Sequence, residues 1–178
     1  MCRALILALA LAAALAAGTS MGRADGLEDV DCARVPISIA GSDHEVHCNL
    51  FVSTAANSVG MNIRFLTAVD ADHTGTTIVA DVRCIGGYVQ SANLMDLMKD
   101  VYPGPFDEWR DLGRQEGFQT AEYTGQDDSG GHADCVAFAR PVTFQNGGLT
   151  RFVVGHGCST FSRQRVWDTI RRIAAAGG

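Results

Sequence analysis

The first 24 residues, read with the cysteines that follow them, constrain this chain more than any other feature. A short basic start at Arg3 is followed by an unbroken run of Leu, Ile and Ala over residues 5–17, and small residues then lead to Ala24. This layout is typical of a secretory signal peptide. The apolar run is shorter than the roughly 20 residues that a transmembrane helix needs. The sequence therefore predicts export to an oxidising compartment, where cysteines pair.

Two positions suit cleavage of this segment. Residues 14–16 (Ala-Leu-Ala) match the A-x-A pattern, and residues 22–24 (Gly-Arg-Ala) also carry small side chains at the two critical positions. Polar, acidic sequence starts at Asp25, which favours the second position. We therefore predict a signal peptide over residues 1–24 and a single globular domain over residues 25–178, located in the periplasm or secreted.

Charge and composition narrow the class of partner. Cleavage removes Arg3 and Arg23, so the formal net charge changes from −6 to −8. An acidic protein repels nucleic acid and anionic membranes on average. The chain is rich in Ala and Gly and has Lys99 as its single lysine against 13 arginines, a bias typical of GC-rich bacterial genomes. We expect a bacterial envelope protein without a nucleic-acid partner and without a membrane span after the signal.

Hydrophobic periodicity predicts an α+β fold. Strands are predicted at residues 37–40, 46–52, 62–69, 76–85, 118–123, 135–140 and 149–155. Helices are predicted at residues 91–102, 106–116 and 162–176. A helix beginning near Asn49 remains an alternative to the 46–52 strand, because short apolar runs are ambiguous. The expected architecture is a disulfide-stabilised antiparallel sheet covered on one face by the 91–102 helix and by the amphipathic C-terminal helix.

One disulfide is predicted from a hairpin. Asn146-Gly147 is a strong two-residue turn signal, and a turn there places Cys135 and Cys158 opposite each other on adjacent strands. Pro141 cannot supply the N–H that the ideal ladder requires, so a bulge or a longer loop is the alternative.

Three other cysteines follow the predicted signal peptide. The total after cleavage is therefore five, and an odd number of cysteines cannot all pair within one chain. Cys32 and Cys48 flank a short segment and are the predicted second disulfide. Cys84 is then the odd thiol, and other pairings of these three cysteines remain open.

Residues 44–48 (His-Glu-Val-His-Cys) form the densest cluster of metal-ligating side chains in the sequence. On a helix, His44 and His47 would share a face, and a third ligand could complete a copper or zinc site. On a strand, they point to opposite faces, and His44 shares a face with Cys48. Solvated loop residues are the alternative. A metal ion is the candidate cofactor that the sequence offers.

Basic side chains are concentrated on the predicted C-terminal helix of this acidic protein. Arg163 and Arg165 are therefore candidate residues for docking an acidic partner, such as another envelope protein. The alternative is a solvated charged face. Arg171 and Arg172 suit the negative end of the helix dipole.

Residues 134–138 (Asp-Cys-Val-Ala-Phe) resemble the Asp-Cys-Ser-Gly-Phe-like signature of papain-like cell-wall cysteine peptidases. The resemblance implies Cys135 as the nucleophile and His156 as its base. Val136 and Ala137 stand where the signature has Ser and Gly. A disulfide at Cys135 excludes this chemistry, because the nucleophile must be a thiolate.

No diagnostic catalytic motif is present in the sequence, which favours a non-enzymatic protein. The first hypothesis is an accessory or binding protein of the bacterial cell envelope that acts through a partner surface. The alternative is a periplasmic copper- or zinc-binding protein using His44 and His47, and the third is a cell-wall cysteine peptidase using Cys135.

Overall fold

The computed structural model describes residues 27–41, 44–54, 60–90, 93–102, 105–126, 131–145 and 147–175. The strands within these residues are β1 (Leu27–Asp29), β2 (Ile37–Ile39), β3 (His44–Thr54), β4 (Gly60–Asp70), β5 (Gly75–Ile85), β6 (Asp107–Gln115), β7 (Phe118–Gln126), β8 (His132–Gln145), β9 (Gly148–Ser159) and β10 (Ile173–Ala175). The helices are α1 (Leu94–Val101), α2 (Arg163–Arg171) and a 3₁₀ turn (Cys32–Arg34). The predicted signal peptide lies outside the described residues and stays a prediction.

The fold is built on one antiparallel sheet of eight strands in the order β1-β3-β4-β5-β9-β8-β7-β6. Two meanders, β3–β5 and β6–β9, join where β5 pairs with β9. A second, two-stranded sheet pairs β10 with β2. Alternation in the long strands divides their side chains between the two faces of the eight-stranded sheet.

The predicted α+β architecture is wrong. The eight-stranded sheet dominates the structure, and the two helices are only 8 and 9 residues long. They also do not share a face: α1 contributes Leu97 and Met98 to one apolar cluster, whereas α2 contributes Val166 and Ile170 to another. Buried residues on both faces of the strands explain the error, because a sheet with two apolar faces needs cover on each side.

Two of the predicted helices differ from the structure: one segment forms a strand, and the other helix is shorter than predicted. The segment predicted as a helix over residues 106–116 forms β6, an edge strand with two irregularities and with Glu108 and Gly113 at positive φ. Bulges and charges are common on edge strands, where they discourage further pairing, and they hide the alternation that identifies a strand. The C-terminal helix stops at Arg171, because Ile173–Ala175 pairs with β2 instead.

Both predicted disulfides are present: Cys32–Cys48 and Cys135–Cys158. Cys135 and Cys158 lie directly opposite each other on β8 and β9, as the hairpin register predicts. The expected disturbance at Pro141 also occurs, because the β8–β9 register shifts between Pro141 and Phe144.

Residues 44–54 form a strand, so the alternative of a helix beginning near Asn49 is wrong. Among the described residues, no helix is long and apolar enough to cross a membrane.

Candidate functional site: an arginine patch on the sheet

Four arginines from four adjacent strands meet on the sheet face that also carries α2. The apolar cluster under α2 includes Leu66 of β4, Val79 of β5, Val153 of β9 and Phe138 of β8. Two residues further along each strand, on the same face, the side chain is charged. These charged residues are Arg64, Asp81, Arg151 and Arg140, and Arg83 follows Asp81 at the next position of that face. We call Arg64, Arg83, Arg140 and Arg151 the arginine patch.

The strand registers arrange this patch in two rows across the sheet. Arg64 lies opposite Asp81, and Arg140 lies opposite Val153, which pairs with Asp81 on its other side. In the second row Arg83 lies opposite Arg151. Neighbouring strands are about 4.8 Å apart and same-face residues along a strand about 7 Å apart, so the patch measures roughly 14 Å by 7 Å.

Asp81 is a buried carboxylate in the middle of the patch, with its side chain only 1 % exposed. It accepts hydrogen bonds from Nε of Arg151 at 2.7 Å and from Nε of Arg83 at 3.3 Å. Like charges placed opposite each other on neighbouring strands repel. Asp81 offsets this repulsion and holds both guanidinium groups close to the sheet surface.

The two outer arginines of the patch differ from the inner pair in their contacts. Among the residues that the structure describes, Arg64 and Arg140 form no ion pair, and both side chains are half-buried. The guanidinium carbon of Arg140 lies 5.2 Å from the centre of the Phe118 ring, which supports its stem through a cation–π contact. The patch therefore keeps an excess of positive charge on an otherwise acidic chain.

The helix arginines singled out in the sequence are neutralised within the chain. Arg163 forms ion pairs with Glu122 and Asp134 of the sheet. Arg165 pairs with Asp72, and this contact lowers the pKa of the Asp72 carboxyl and raises that of the Arg165 guanidinium. Arg163 therefore connects α2 to the sheet, and Arg165 connects α2 to the turn between β4 and β5.

The two histidines of the metal hypothesis lie on opposite faces of β3, so their rings do not share a site. His44 is buried with Nδ1 3.2 Å from Asp70, whereas His47 is exposed beside Glu45. Burial raises the pKa of Asp70. Among the described residues, no group of three His, Cys, Asp or Glu side chains is placed to hold a metal ion.

His44 and Asp70 line a cleft of about 290 Å³ between α2 and the end of β4. Asp72 and Arg165, which pair with each other, lie on its wall together with Asp168 and Arg172. The charges of this cleft largely balance, in contrast to those of the arginine patch.

Cys135 does not provide a catalytic thiolate in this structure, because it is buried, lies within β8 and is bonded to Cys158. The proposed base, His156, instead belongs to a polar cluster: the Tyr123 hydroxyl is 2.5 Å from His156 Nδ1, and the Tyr102 ring packs 4.7 Å from the imidazole. Burial lowers the pKa of His156 to about 4 and raises the pKa values of Tyr102 and Tyr123. Tyr102 and Tyr123 belong to the apolar cluster that α1 joins, so His156 lies against core side chains.

The sequence interpretation missed the arginine patch because its four members are far apart in the chain. A signal was present, since each lies two residues from a buried position in a strand, but the strand order was needed to bring them together. No protein-family model, curated protein or solved structure matches this chain.

Proposed function

We propose that this chain is a non-enzymatic binding protein of the bacterial cell envelope, exported and acting through the arginine patch on its sheet. The observation that carries the proposal is the charge of Arg64 and Arg140, which have no ion-pair partner among the described residues, beside Arg83 and Arg151, which share the single carboxylate of Asp81. Arginine is suited to this role because its planar guanidinium binds carboxylates and phosphates through two parallel hydrogen bonds.

The electrostatics of the chain support a partner-binding role over a purely structural one. The Arg163 and Arg165 side chains on α2 form ion pairs with carboxylates of the same chain, which compensate their charge locally. Arg64 and Arg140 carry no such match among the described residues, although acidic residues are plentiful in the sequence. A localised positive patch on an acidic protein attracts and orients an acidic partner.

Paired affinity isolation from the periplasmic fraction tests this proposal. The wild-type chain is compared with Arg64→Gln/Arg140→Gln and with Arg34→Gln/Arg114→Gln, which removes equal charge from exposed residues elsewhere. We expect one partner to be recovered with the wild type and the control and to be lost with the patch variant. Equal recovery with all three chains, or location of the chain outside the envelope, would contradict the proposal.

A further inference from the structure

We infer that the arginine patch binds an extended acidic polypeptide segment, with carboxylates on alternate residues, rather than the flat surface of an anionic membrane. This inference rests on the proposed function, because it specifies the chemistry of the partner at the same patch.

The first reason is the depth at which the charges lie. Val166, Trp167 and Ile170 of α2 pack in the apolar cluster that borders the patch. A helix adds a layer about 10 Å thick to a sheet. The patch therefore lies at the foot of a raised layer, where a narrow ligand has access and a flat bilayer does not.

The second reason is that contacts hold three of the four arginine side chains, Arg83, Arg151 and Arg140, against the sheet. The buried carboxylate of Asp81 holds Nε of Arg83 and Arg151, and the Arg151 side chain is only 17 % exposed. Arg140 lies against the Phe118 ring.

The third reason is the match between the two spacings. The rows of the patch are two residues apart along the strands, and alternate side chains of an extended peptide are separated by the same distance of about 7 Å. Ile85, 37 % exposed, occupies the next position after Arg83 on the same face of β5. A segment with two acidic residues on alternate positions, followed by an apolar residue two positions on, fits this order of side chains.

The test uses a labelled peptide of sequence Thr-Glu-Thr-Glu-Thr-Leu and a matched peptide with Gln in place of both Glu residues. Binding is measured by fluorescence anisotropy to the chain lacking residues 1–24, and in parallel by sedimentation with vesicles of phosphatidylglycerol and phosphatidylcholine. We expect the acidic peptide to bind, the Gln peptide to bind at least about tenfold more weakly, and added salt to weaken the binding.

The variants of the previous section decide where the peptide binds. Arg64→Gln/Arg140→Gln should weaken binding of the acidic peptide about tenfold, whereas Arg34→Gln/Arg114→Gln should change it less than about twofold. Arg64→Lys/Arg140→Lys keeps the charge and should give an intermediate affinity, because lysine lacks the planar fork. Unchanged thermal midpoints for the variants show that the comparison is made between folded proteins.

Three outcomes overturn the inference in distinguishable ways. Vesicle binding that depends on Arg64 and Arg140, without peptide binding, contradicts the acidic segment but keeps the patch as the functional surface. Peptide binding that is equal in the patch variant and the control places the site elsewhere. Failure of both probes to bind contradicts the acidic segment, and it leaves the proposed function standing if the affinity isolation still recovers a partner that depends on Arg64 and Arg140.

Discussion

Asp81 is the residue on which the arginine patch depends. Its buried carboxylate lies between Arg83 and Arg151, which face each other on neighbouring strands. Removing one member of a buried charge network leaves the others without compensation. Asp81→Asn should therefore lower the free energy of unfolding by roughly 1–3 kcal/mol, measured by urea denaturation. Asp107→Asn, at an exposed residue of β6, is the matched control, and an equal urea midpoint for both variants would contradict this role.

His156 gives a second prediction at the residue scale. Burial lowers its pKa from 6.5 to about 4. Between these values the unfolded chain binds more protons than the folded chain, so the free energy of unfolding falls as the pH is lowered through this window. The loss attributable to His156 is roughly 3 kcal/mol.

Urea denaturation at several pH values, with wild type and His156→Gln, measures this contribution. The difference between the two proteins should change between pH values of about 6.5 and about 4 and be constant above this window. Subtracting the variant removes the opposing contribution of Asp70, whose pKa is raised by burial. Parallel pH profiles for the two proteins would rule out His156 as the source.

At the element scale, the close contact between α2 and β9 depends on a glycine. A Cβ atom at Gly157 would lie 2.6 Å from Cγ1 of Val166 and 2.7 Å from Oγ1 of Thr77. Gly157→Ala should displace α2 and lower the free energy of unfolding by about 1–3 kcal/mol.

A double-mutant cycle with Val166→Ala separates this clash from other effects of the substitution. Val166→Ala removes the closest atom, so the double variant should be less destabilised than the sum of the single variants. Strict additivity of the urea-denaturation free energies would show that the cost of Gly157→Ala arises elsewhere.

The elements differ in how far the sequence alone could predict them. Regular alternation identified β5, and the Asn146-Gly147 turn gave the β8–β9 register up to Pro141. Alternation did not identify β6, because bulges and exposed charges at the sheet edge disrupt the period of two. Local periodicity also does not encode which face of the sheet each helix covers, because that depends on tertiary packing.

At the scale of the whole molecule, the two disulfides leave Cys84 as the described cysteine outside them. The chain lacking residues 1–24 should take up one alkyl group per molecule when denatured without reductant, and five after reduction. Intact mass spectrometry counts these groups. Three groups before reduction would show that one disulfide does not form in the purified protein.

The candidate site is also a property of the whole molecule. Arg64, Arg83, Arg140 and Arg151 lie on four strands, and only the order β4-β5-β9-β8 makes them neighbours. The sequence predicted Arg163 and Arg165 as partner-binding candidates because they are close together on one helix. Once the chain folds, the carboxylates of Glu122, Asp134 and Asp72 neutralise them.

The central claim, that the sheet arginines rather than the helix arginines receive an acidic partner, can be tested directly by NMR. The Nε–Hε correlations of all arginine side chains are recorded while the acidic peptide is added. We predict shifts for Arg64 and Arg140, with smaller changes for Arg163 and Arg165. Shifts confined to the two α2 arginines, with the sheet arginines unchanged, would contradict the account.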